Sequence, residues 1–224
     1  MSEVRVIKVN ENVFSDNDRE ADLLREKLKK NKTFMINFMS SPGSGKTTLV
    51  TKLINELKDE INIMAMDVDI ETSIDASRIA SSGVKTIQIH NGGLCHIDAD
   101  MTNRCIEKEN IEGVDLLILE NIGNLVCPAE FDTGAHKNIM LLSVPEGDDK
   151  PLKYPLMFTK SDIVVITKID TLKIFNFNVE KCKENIRKLN PNAIILLVSS
   201  KTGEGFNELT NLIRNEVKVF KEEL

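Results

Sequence analysis

The stretch FMINFMSSPGSGKTTLV, residues 34–50, decides the fold of this chain. It opens with an apolar run, Phe34–Met39, that is typical of a buried strand, and it closes with a helical stretch from Thr48. The segment between them, SSPGSGKT (residues 40–47), is rich in glycine and serine. Glycines let backbone N–H groups turn inward around phosphate oxygens, and a following helix adds the positive end of its dipole. The stretch therefore predicts a strand, a phosphate-binding loop and a helix in succession.

The residues of this loop have distinct expected roles. Lys46 is expected to reach the β- and γ-phosphates of a nucleotide, and the Thr47 hydroxyl to coordinate Mg²⁺. Ser40 stands where the pattern G-x-x-x-x-G-K-[ST] has its first glycine, and a serine with negative φ fits that turn. A glycine-rich turn that only caps a helix is the alternative. The loop residues predicted to bind nucleotide are Gly43, Ser44, Gly45, Lys46, Thr47 and Thr48, and Lys46 is also predicted to be catalytic.

Six further apolar runs follow the first one, separated by helical stretches. They are residues 61–66, 84–89, 114–119, 139–144, 163–167 and 194–198. Near-continuous apolar strands alternating with helices predict a doubly wound α/β fold, with a mostly parallel sheet covered by helices on both faces. We expect residues 33–224 to form this domain. Residues 1–32, with a short apolar alternation and then an amphipathic pattern at Ala21, Leu24 and Leu28, are expected to be a strand and helix extension packed on it.

Composition narrows the class of protein. The 224 residues include 29 basic and 35 acidic side chains, and the net charge of −6 weighs against a general nucleic-acid-binding surface. No apolar run approaches the roughly 18–20 residues that cross a bilayer, and the N-terminal residues lack a signal-peptide pattern. We therefore expect a cytoplasmic protein without a membrane partner. Its four cysteines are too few for a disulfide framework.

Two later motifs predict which nucleotide base the site binds. The strand at residues 163–167 continues into Lys168-Ile169-Asp170, and the resulting T-K-x-D resembles the guanine motif N-K-x-D of P-loop GTPases, although a chance match is the alternative. In that motif the carboxylate accepts two hydrogen bonds that adenine cannot donate, and the lysine stem covers the base. Thr167 replaces the usual Asn, which leaves its tethering role open. Three motifs in order at strand ends favour GTP. The residues assigned to the base are Lys168, Asp170 and the S-A-K-like segment Ser199, Ser200 and Lys201.

Acidic residues that follow the second strand are candidates for Mg²⁺ and water. Asp67 and Asp69 lie at its C-terminal edge, and Asp75 comes shortly after them. Carboxylates beside a phosphate loop are placed to act on Mg²⁺ and the attacking water. A plausible helix capping box at residues 72–75 is the alternative and does not exclude that role. We predict catalytic roles for Asp69 and Asp75, with Asp75 also near Mg²⁺.

Another candidate follows the fourth strand. Glu120-Asn121-Ile122-Gly123 resembles the D-x-x-G switch of GTPases, with Glu in place of Asp. Glu120 is predicted to be catalytic and to hold Mg²⁺ through water, and the Gly123 N–H is expected to sense the γ-phosphate. No Arg or Gln is evidently placed to speed hydrolysis, so slow intrinsic GTP turnover is expected.

Two cysteines and one histidine form a candidate metal site. Cys95 and His96 are adjacent after one strand, and Cys127 lies four residues beyond Gly123. Thiolate and imidazole ligands suit Zn²⁺ or Ni²⁺, although buried or inert residues are the alternative. A second copy of the chain, a water or a partner could complete the coordination. We expect His90 and His136 to lie on the surface, and Cys105 and Cys182 to be small apolar residues of helices.

Several segments together resemble the HypB family of hydrogenase nickel-incorporation GTPases, over about residues 33–215. They are the phosphate loop, D-x-x-T-x-x-D-A (69–76), G-L-C-H-I-D-A (93–99), E-N-I-G-N-L-V-C-P (120–128) and E-G-D-D-K-P-L-K-Y-P (146–155). The resemblance implies a dimerising G protein of the SIMIBI class that helps to load nickel into the large subunit of [NiFe]-hydrogenase. It also implies a nickel metallochaperone partner of the HypA kind.

The resemblance also implies residue roles. Cys95, His96 and Cys127 correspond to a metal site at the subunit interface, and Lys153 to a residue that acts across the dimer on bound nucleotide. No Cys or His precedes His90, so the N-terminal nickel-storage site of many family members is not expected. The alternatives are a urease-type or mutase-type chaperone, a metal-binding scaffold with a vestigial nucleotide site, and, least favoured, a small-molecule kinase.

Overall fold

Seven parallel strands form a single sheet in the computed structural model, which describes residues 11–68 and 74–224. The strands are β1 (Phe34–Ser40), β2 (Ile63–Val68), β3 (Lys85–Ile89), β4 (Leu116–Gly123), β5 (Lys137–Ser143), β6 (Ile163–Thr167) and β7 (Ile194–Val198). Their order across the sheet is β3-β2-β4-β1-β5-β6-β7. All seven predicted strands are present, and the prediction of a parallel, doubly wound sheet is confirmed.

Helices cover both faces of this sheet. They are α1 (Glu11–Lys30), α2 (Lys46–Leu57), α3 (Ile74–Ala80), α4 (Ala99–Glu107), α5 (Cys127–Glu130), α6 (Lys150–Lys153), α7 (Pro155–Thr159), α8 (Val179–Leu189) and α9 (Phe206–Glu222). One apolar core joins Leu53 of α2 and Ile213 of α9 to Ile118 of the sheet. On the opposite face, Leu28 and Ile186 belong to two further cores beneath the other helices.

The helix predicted near the N-terminus is α1. Its three predicted apolar positions are buried, with Ala21 and Leu28 at 0% exposure and Leu24 at 2%. This stripe at a spacing of three and four residues packs α1 against the domain, chiefly alongside α4. The strand expected before α1 falls in residues 1–10, outside the described residues.

Some strands extend beyond their predicted apolar runs, because polar residues continue the pairing with a neighbouring strand. Apolar character ends at Leu119, but β4 runs on to Gly123 because Glu120 pairs with Phe38 and Gly123 pairs with Ser40 of β1. Backbone hydrogen bonds therefore extend the strand through its polar end.

The long connection between β5 and β6 is helical rather than an open loop. A 3₁₀ turn at Val144–Glu146 is followed by α6 and α7, each with a proline in its first turn, where the missing N–H costs nothing. Met157 and Phe158 of α7 are fully buried, so the segment is anchored in the core. No helix within residues 11–68 and 74–224 combines the length and apolar character needed to cross a membrane.

Candidate functional site

The phosphate-binding loop turns sharply between β1 and α2, as predicted. Gly43 and Gly45 have φ values of +76° and +95°, a left-handed conformation in which other residues would be strained. The loop lines a cavity of about 620 Å³, together with the ends of β2 and β4, Asp75 and Lys168. The N-terminus of α2, at Lys46, points its unpaired backbone N–H groups at this cavity.

Lys46, Thr47 and Glu120 meet within this cavity. The Lys46 Nζ atom donates to Glu120 Oε1 at 2.8 Å, and the Thr47 hydroxyl donates to the same oxygen at 2.6 Å. Glu120 is only 1% exposed, and its Oε2 atom has no hydrogen-bond partner among the described residues. A buried, unpartnered carboxylate oxygen beside a hydroxyl is a donor set that suits Mg²⁺. These residues therefore fit the cation that was predicted for them.

The acidic residues after β2 are only partly described. Asp69 and residues 72–73 of the capping box predicted at 72–75 lie outside the described residues. Asp75, at the start of α3, lines the cavity and forms a 3.0 Å ion pair with Arg78. Asp67, which was not among the predicted catalytic residues, is 2% exposed, lines the cavity and pairs in register with Glu120. The register therefore places two acidic residues side by side at the ends of adjacent parallel strands.

Gly123 brings the end of β4 against the phosphate loop. A Cβ atom at this position would lie 3.1 Å from the backbone nitrogen of Pro42. The close approach, rather than an unusual backbone angle, explains the glycine. The predicted E-x-x-G segment therefore contacts the loop that it was expected to sense.

The end of β6 holds the phosphate loop from the other side. The Thr167 hydroxyl donates to the carbonyl of Ser44 at 2.9 Å, and Lys168 Nζ donates to the carbonyl of Gly43 at 2.6 Å. Lys168 has a φ of +58°, so its side chain leaves the strand end in a left-handed turn. Thr167 is thus tethered to the loop although it replaces the usual Asn of the motif.

Asp170 is joined to the segment after β7. Its Oδ1 atom accepts a hydrogen bond from the Ser199 hydroxyl at 2.7 Å, and its Oδ2 atom has no hydrogen-bond partner among the described residues. The Ser200 carbonyl accepts from Lys52 of α2 at 3.2 Å, and Lys201 is exposed. The residues predicted to bind guanine therefore lie together at the C-terminal edge of the sheet.

The two predicted metal-binding cysteines lie side by side at the surface. The sulfurs of Cys95 and Cys127 are 2.6 Å apart, whereas His96 Nδ1 is 3.9 Å from the Cys95 sulfur. The imidazole of His96 stacks on the Phe131 ring, with centroids 3.7 Å apart. Across the described part of the chain, no group of three His, Cys, Asp and Glu side chains is arranged to hold a metal ion. One chain thus presents a pair of thiols with a nearby histidine, not a completed metal site.

The contact between the two thiols changes the pKa of Cys127. The pKa of Cys127 is raised by its hydrogen bond with Cys95 and, to a smaller extent, by burial. Because thiolates are the metal ligands, metal binding here has to displace protons from the pair.

Asparagines fix the two loops that carry the thiols. The Asn91 side chain donates to the carbonyls of Leu94 and His96 at 2.8 Å each. The Asn124 side chain accepts from the Val126 N–H at 2.8 Å. The Asn124 side-chain nitrogen also donates to the Cys95 carbonyl at 3.4 Å, so Asn124 connects the two loops.

Among the described residues, Lys153 is not one of those that line the chain's own nucleotide cavity. Its side chain is 60% exposed and pairs with Asp149 at 2.5 Å, a hydrogen bond that raises the pKa of Lys153 and lowers that of Asp149. The same segment contacts the phosphate loop through Glu146, which accepts hydrogen bonds from the hydroxyls of Ser41 and Ser143.

Three of the remaining cysteines and histidines lie where they were predicted. His90 is exposed, and Cys105 and Cys182 lie in α4 and α8, as predicted. Burial raises the pKa of Cys182 to about 12.

The prediction that His136 lies on the surface is wrong. Its ring stacks on Phe34 and meets Phe220 of α9, and its Nδ1 atom accepts the Met35 N–H at 2.9 Å. Burial, followed by the charge of Arg25, lowers the pKa of His136 to about 4. Packing by the distant α9 covers a residue that lies in a polar loop sequence.

Comparisons with known proteins agree with this geometry. Residues 34–197 match the nucleotide-binding domain of the CobW/HypB/UreG family. The hydrogenase maturation factor HypB of Rhizobium leguminosarum bv. viciae is 44% identical over 205 residues, which are 92% of this chain and 69% of that protein.

Two solved structures are also similar. HypB from Helicobacter pylori in complex with nickel has a TM-score of 0.84 and 42% identity, covering 91% of this chain and 95% of that one. The signal recognition particle receptor FtsY from Elizabethkingia anophelis, in complex with GDP, shares the fold with a TM-score of 0.53 and 14% identity, covering 84% and 70% of the two chains. The fold is therefore that of the SIMIBI P-loop GTPases.

Proposed function

The chain belongs to the HypB group of the CobW/HypB/UreG family, and from this premise we propose that it binds and slowly hydrolyses GTP to deliver nickel to the large subunit of a [NiFe]-hydrogenase. Family membership makes the chain a GTPase metallochaperone of hydrogenase maturation. The proposal adds hydrolysis by this chain, its site residues and its partners.

The main support for the proposal is that Lys46 and Thr47 both donate hydrogen bonds to the buried carboxylate of Glu120. A bound nucleotide draws the Lys46 charge to its phosphates, which frees Glu120 Oε1. Thr47 and Glu120, with Asp75 nearby, would hold Mg²⁺, which would neutralise phosphate charge. Asp69 and Asp75 act on the attacking water, and the Gly123 N–H donates to the γ-phosphate.

Guanine selectivity is assigned to Asp170, because its Oδ2 atom is open and Ser199 orients the carboxylate. Two hydrogen bonds from guanine satisfy a carboxylate that adenine would leave unpaired. Lys168 covers the base, and the backbone of Ser199, Ser200 and Lys201 contacts its oxygen.

The nucleotide and the metal cargo are coupled through the segment after β4. Gly123 ends β4 against Pro42, and α5 begins at Cys127 four residues later. A γ-phosphate that draws Gly123 inward therefore moves Cys127 relative to Cys95 and His96. By linkage, nickel or zinc must then change the affinity for GTP by the same factor.

A homodimer completes the metal site in this proposal. Each chain offers two adjacent thiols, so two chains provide four sulfurs, with His96 as a further ligand. Leu94 and Val126, next to the cysteines, are 43% and 51% exposed and provide an apolar contact surface. Lys153 extends from an exposed position to the nucleotide of the second chain. Cargo is exchanged with a nickel metallochaperone of the HypA kind, in the cytoplasm, where the thiols stay reduced.

The decisive experiment measures nickel and zinc affinity of the purified chain with GDP and with a non-hydrolysable GTP analogue. Different affinities in the two states, with phosphate release from GTP but not from ATP, are expected. Equal affinities would contradict the coupling, and absence of GTP turnover would contradict the enzymatic part. Size-exclusion chromatography of the same samples tests the dimer, and capture of apo-hydrogenase against apo-urease subunits tests the target.

A further inference from the structure

Asn17 of α1 contacts both segments that carry the predicted metal-binding residues. The first segment is residues 95–99 and the second is residues 127–135. The Asn17 side-chain oxygen accepts the Ala99 N–H at 3.0 Å, and its side-chain nitrogen donates to the Asp132 carbonyl at 3.1 Å. Ala99 lies three residues after His96, and Asp132 lies shortly after Cys127. Asn17 is 9% exposed, so this amide joins the two segments in a buried position.

These contacts close a ring around the candidate metal site. The stack of His96 on Phe131 joins the two segments on the side of the thiols. Asn17 joins the residues that follow them, Ala99 and Asp132, on the side of the domain. A hydrogen bond from the Asn124 side chain to the Cys95 carbonyl, at 3.4 Å, is a third connection. The relative position of the two segments is therefore set at three points, one of which lies on the N-terminal helix.

Other contacts of α1 reach only one segment each. Arg25 pairs with the Asp132 carboxylate at 2.6 Å and donates to the Ala135 carbonyl, both in the second segment. Lys27 donates to Asn103 and Glu107 of α4, beyond the first segment. Among the described polar contacts of α1, only those of Asn17 bridge the two, which makes its role distinct from general helix packing.

From this geometry we infer that Asn17 is a positioning residue, which sets the separation of Cys95 and Cys127 and the orientation of His96. It touches neither metal nor nucleotide. The inference rests on the proposed function, since it concerns the same metal site, but it makes a claim about the sulfurs that holds without any metal.

The first test therefore uses no metal. Glutathione disulfide oxidises the two thiols to one Cys95–Cys127 disulfide and yields two glutathione thiols, and the equilibrium measures the effective concentration of one sulfur at the other. In Asn17→Leu, which leaves both backbone partners unpaired, we expect that concentration to fall about ten-fold. Mass spectrometry after alkylation assigns the pair, and Lys27→Met, which removes α1 contacts to α4 without touching the bridge, is expected to behave like the wild type.

A second readout titrates Ni²⁺ and Zn²⁺ and follows the thiolate-to-nickel charge-transfer band. Removing an outer residue that orients metal ligands costs about 10–100-fold in affinity, and we expect that loss with unchanged GDP affinity. Asn17→Asp keeps the acceptor for Ala99 but loses the donor to Asp132, so it is expected to fall between wild type and Asn17→Leu. It carries the test if Asn17→Leu does not fold.

Wild-type sulfur proximity and nickel affinity in folded Asn17 variants would overturn the inference, as would an equal loss in Lys27→Met. If the wild-type chain bound no nickel, the proposed function would fail. The disulfide equilibrium would still test whether Asn17 positions the two sulfurs.

Discussion

The nucleotide cavity and the thiol-bearing loops lie at the same edge of the sheet but are built in different ways. The cavity is formed by strand ends and a helix N-terminus, and its key carboxylate, Glu120, is buried and paired with Lys46. Cys95 lies in an exposed loop and Cys127 at the start of α5, and among the described residues no group of three potential ligands is arranged to hold a metal ion. One site is thus formed by the sheet itself, whereas the other depends on contacts outside the sheet.

The largest effect that separates the two regions is expected from Lys46→Met. Loss of a charged hydrogen-bond donor to the phosphates should weaken GTP binding at least about 100-fold, or about 2.8 kcal/mol. Nickel affinity without nucleotide should be unchanged. Titration with a fluorescent GTP analogue and with Ni²⁺ measures both, with Lys58→Met, beyond the far end of α2, as the matched control. A parallel loss of nickel binding would mean that the two regions are not separate.

The second largest effect is expected from acid, which lowers the free energy of unfolding through the protonation of His136. The His136 pKa is about 4 in the folded chain, against 6.5 for the ordinary residue, so the unfolded state takes up the proton first. The associated stability is complete above pH 6.5 and is lost as the pH falls toward 4. Because the ring is only partly buried, we expect a loss of about 2 kcal/mol.

Urea unfolding at stepped pH measures this loss. His136→Asn keeps an acceptor for the Met35 N–H but does not titrate, and its free energy of unfolding should fall less between pH 6.5 and 4 than that of the wild type. Equal slopes for the two proteins would show that another group is responsible.

A smaller effect is expected from Cys127→Ser. Removing one thiolate ligand should weaken nickel binding at least about ten-fold, or about 1.4 kcal/mol, while GDP affinity stays the same. Cys105→Ser, which changes a half-buried thiol of α4 outside the predicted metal site, is the matched control. Calorimetric titration compares the variants, and unchanged nickel affinity in Cys127→Ser would place the metal elsewhere.

The smallest effect is expected from Thr167→Val, which tests how the cavity is supported. The variant leaves the Ser44 carbonyl without its hydrogen bond, and we expect a loss of about 1 kcal/mol, or about five-fold, in GDP affinity. Thr159→Val, which removes an exposed hydroxyl of α7, should show no change. If both variants bind GDP like the wild type, the tether to Ser44 contributes nothing to binding.

The same difference explains what could be predicted from sequence. Parallel strands place their C-terminal ends at one edge, so Thr47 and Glu120 could be assigned to one site although they are distant in the chain. Strand order and register then determined which carboxylate stood beside Glu120. Asp67 could be placed near Mg²⁺ from its position at the strand end, but not beside Glu120, because that register is not visible in a linear pattern.

For the segments around Cys95 and Cys127, the residue types of a metal site could be predicted, but not their arrangement in space. Cys95, His96 and Cys127 were identified by residue type, but the stack of His96 on Phe131 follows from contacts between distant segments. Asn17 looked like one more polar residue of an amphipathic helix. His136 was misplaced for the same reason, since Phe220 of α9 covers it.

The shared oxygen of Glu120 has a consequence for the order in which the cavity is filled. In the empty cavity, Lys46 and Glu120 neutralise each other. A free phosphate that drew Lys46 away would leave a buried carboxylate unbalanced, and a free cation that drew Glu120 away would leave the ammonium unbalanced. Under the proposed function, a nucleotide that brings Mg²⁺ with it would supply a partner for both groups at once. The ion pair would then disfavour bare phosphates and bare cations, before any contact with the base is made.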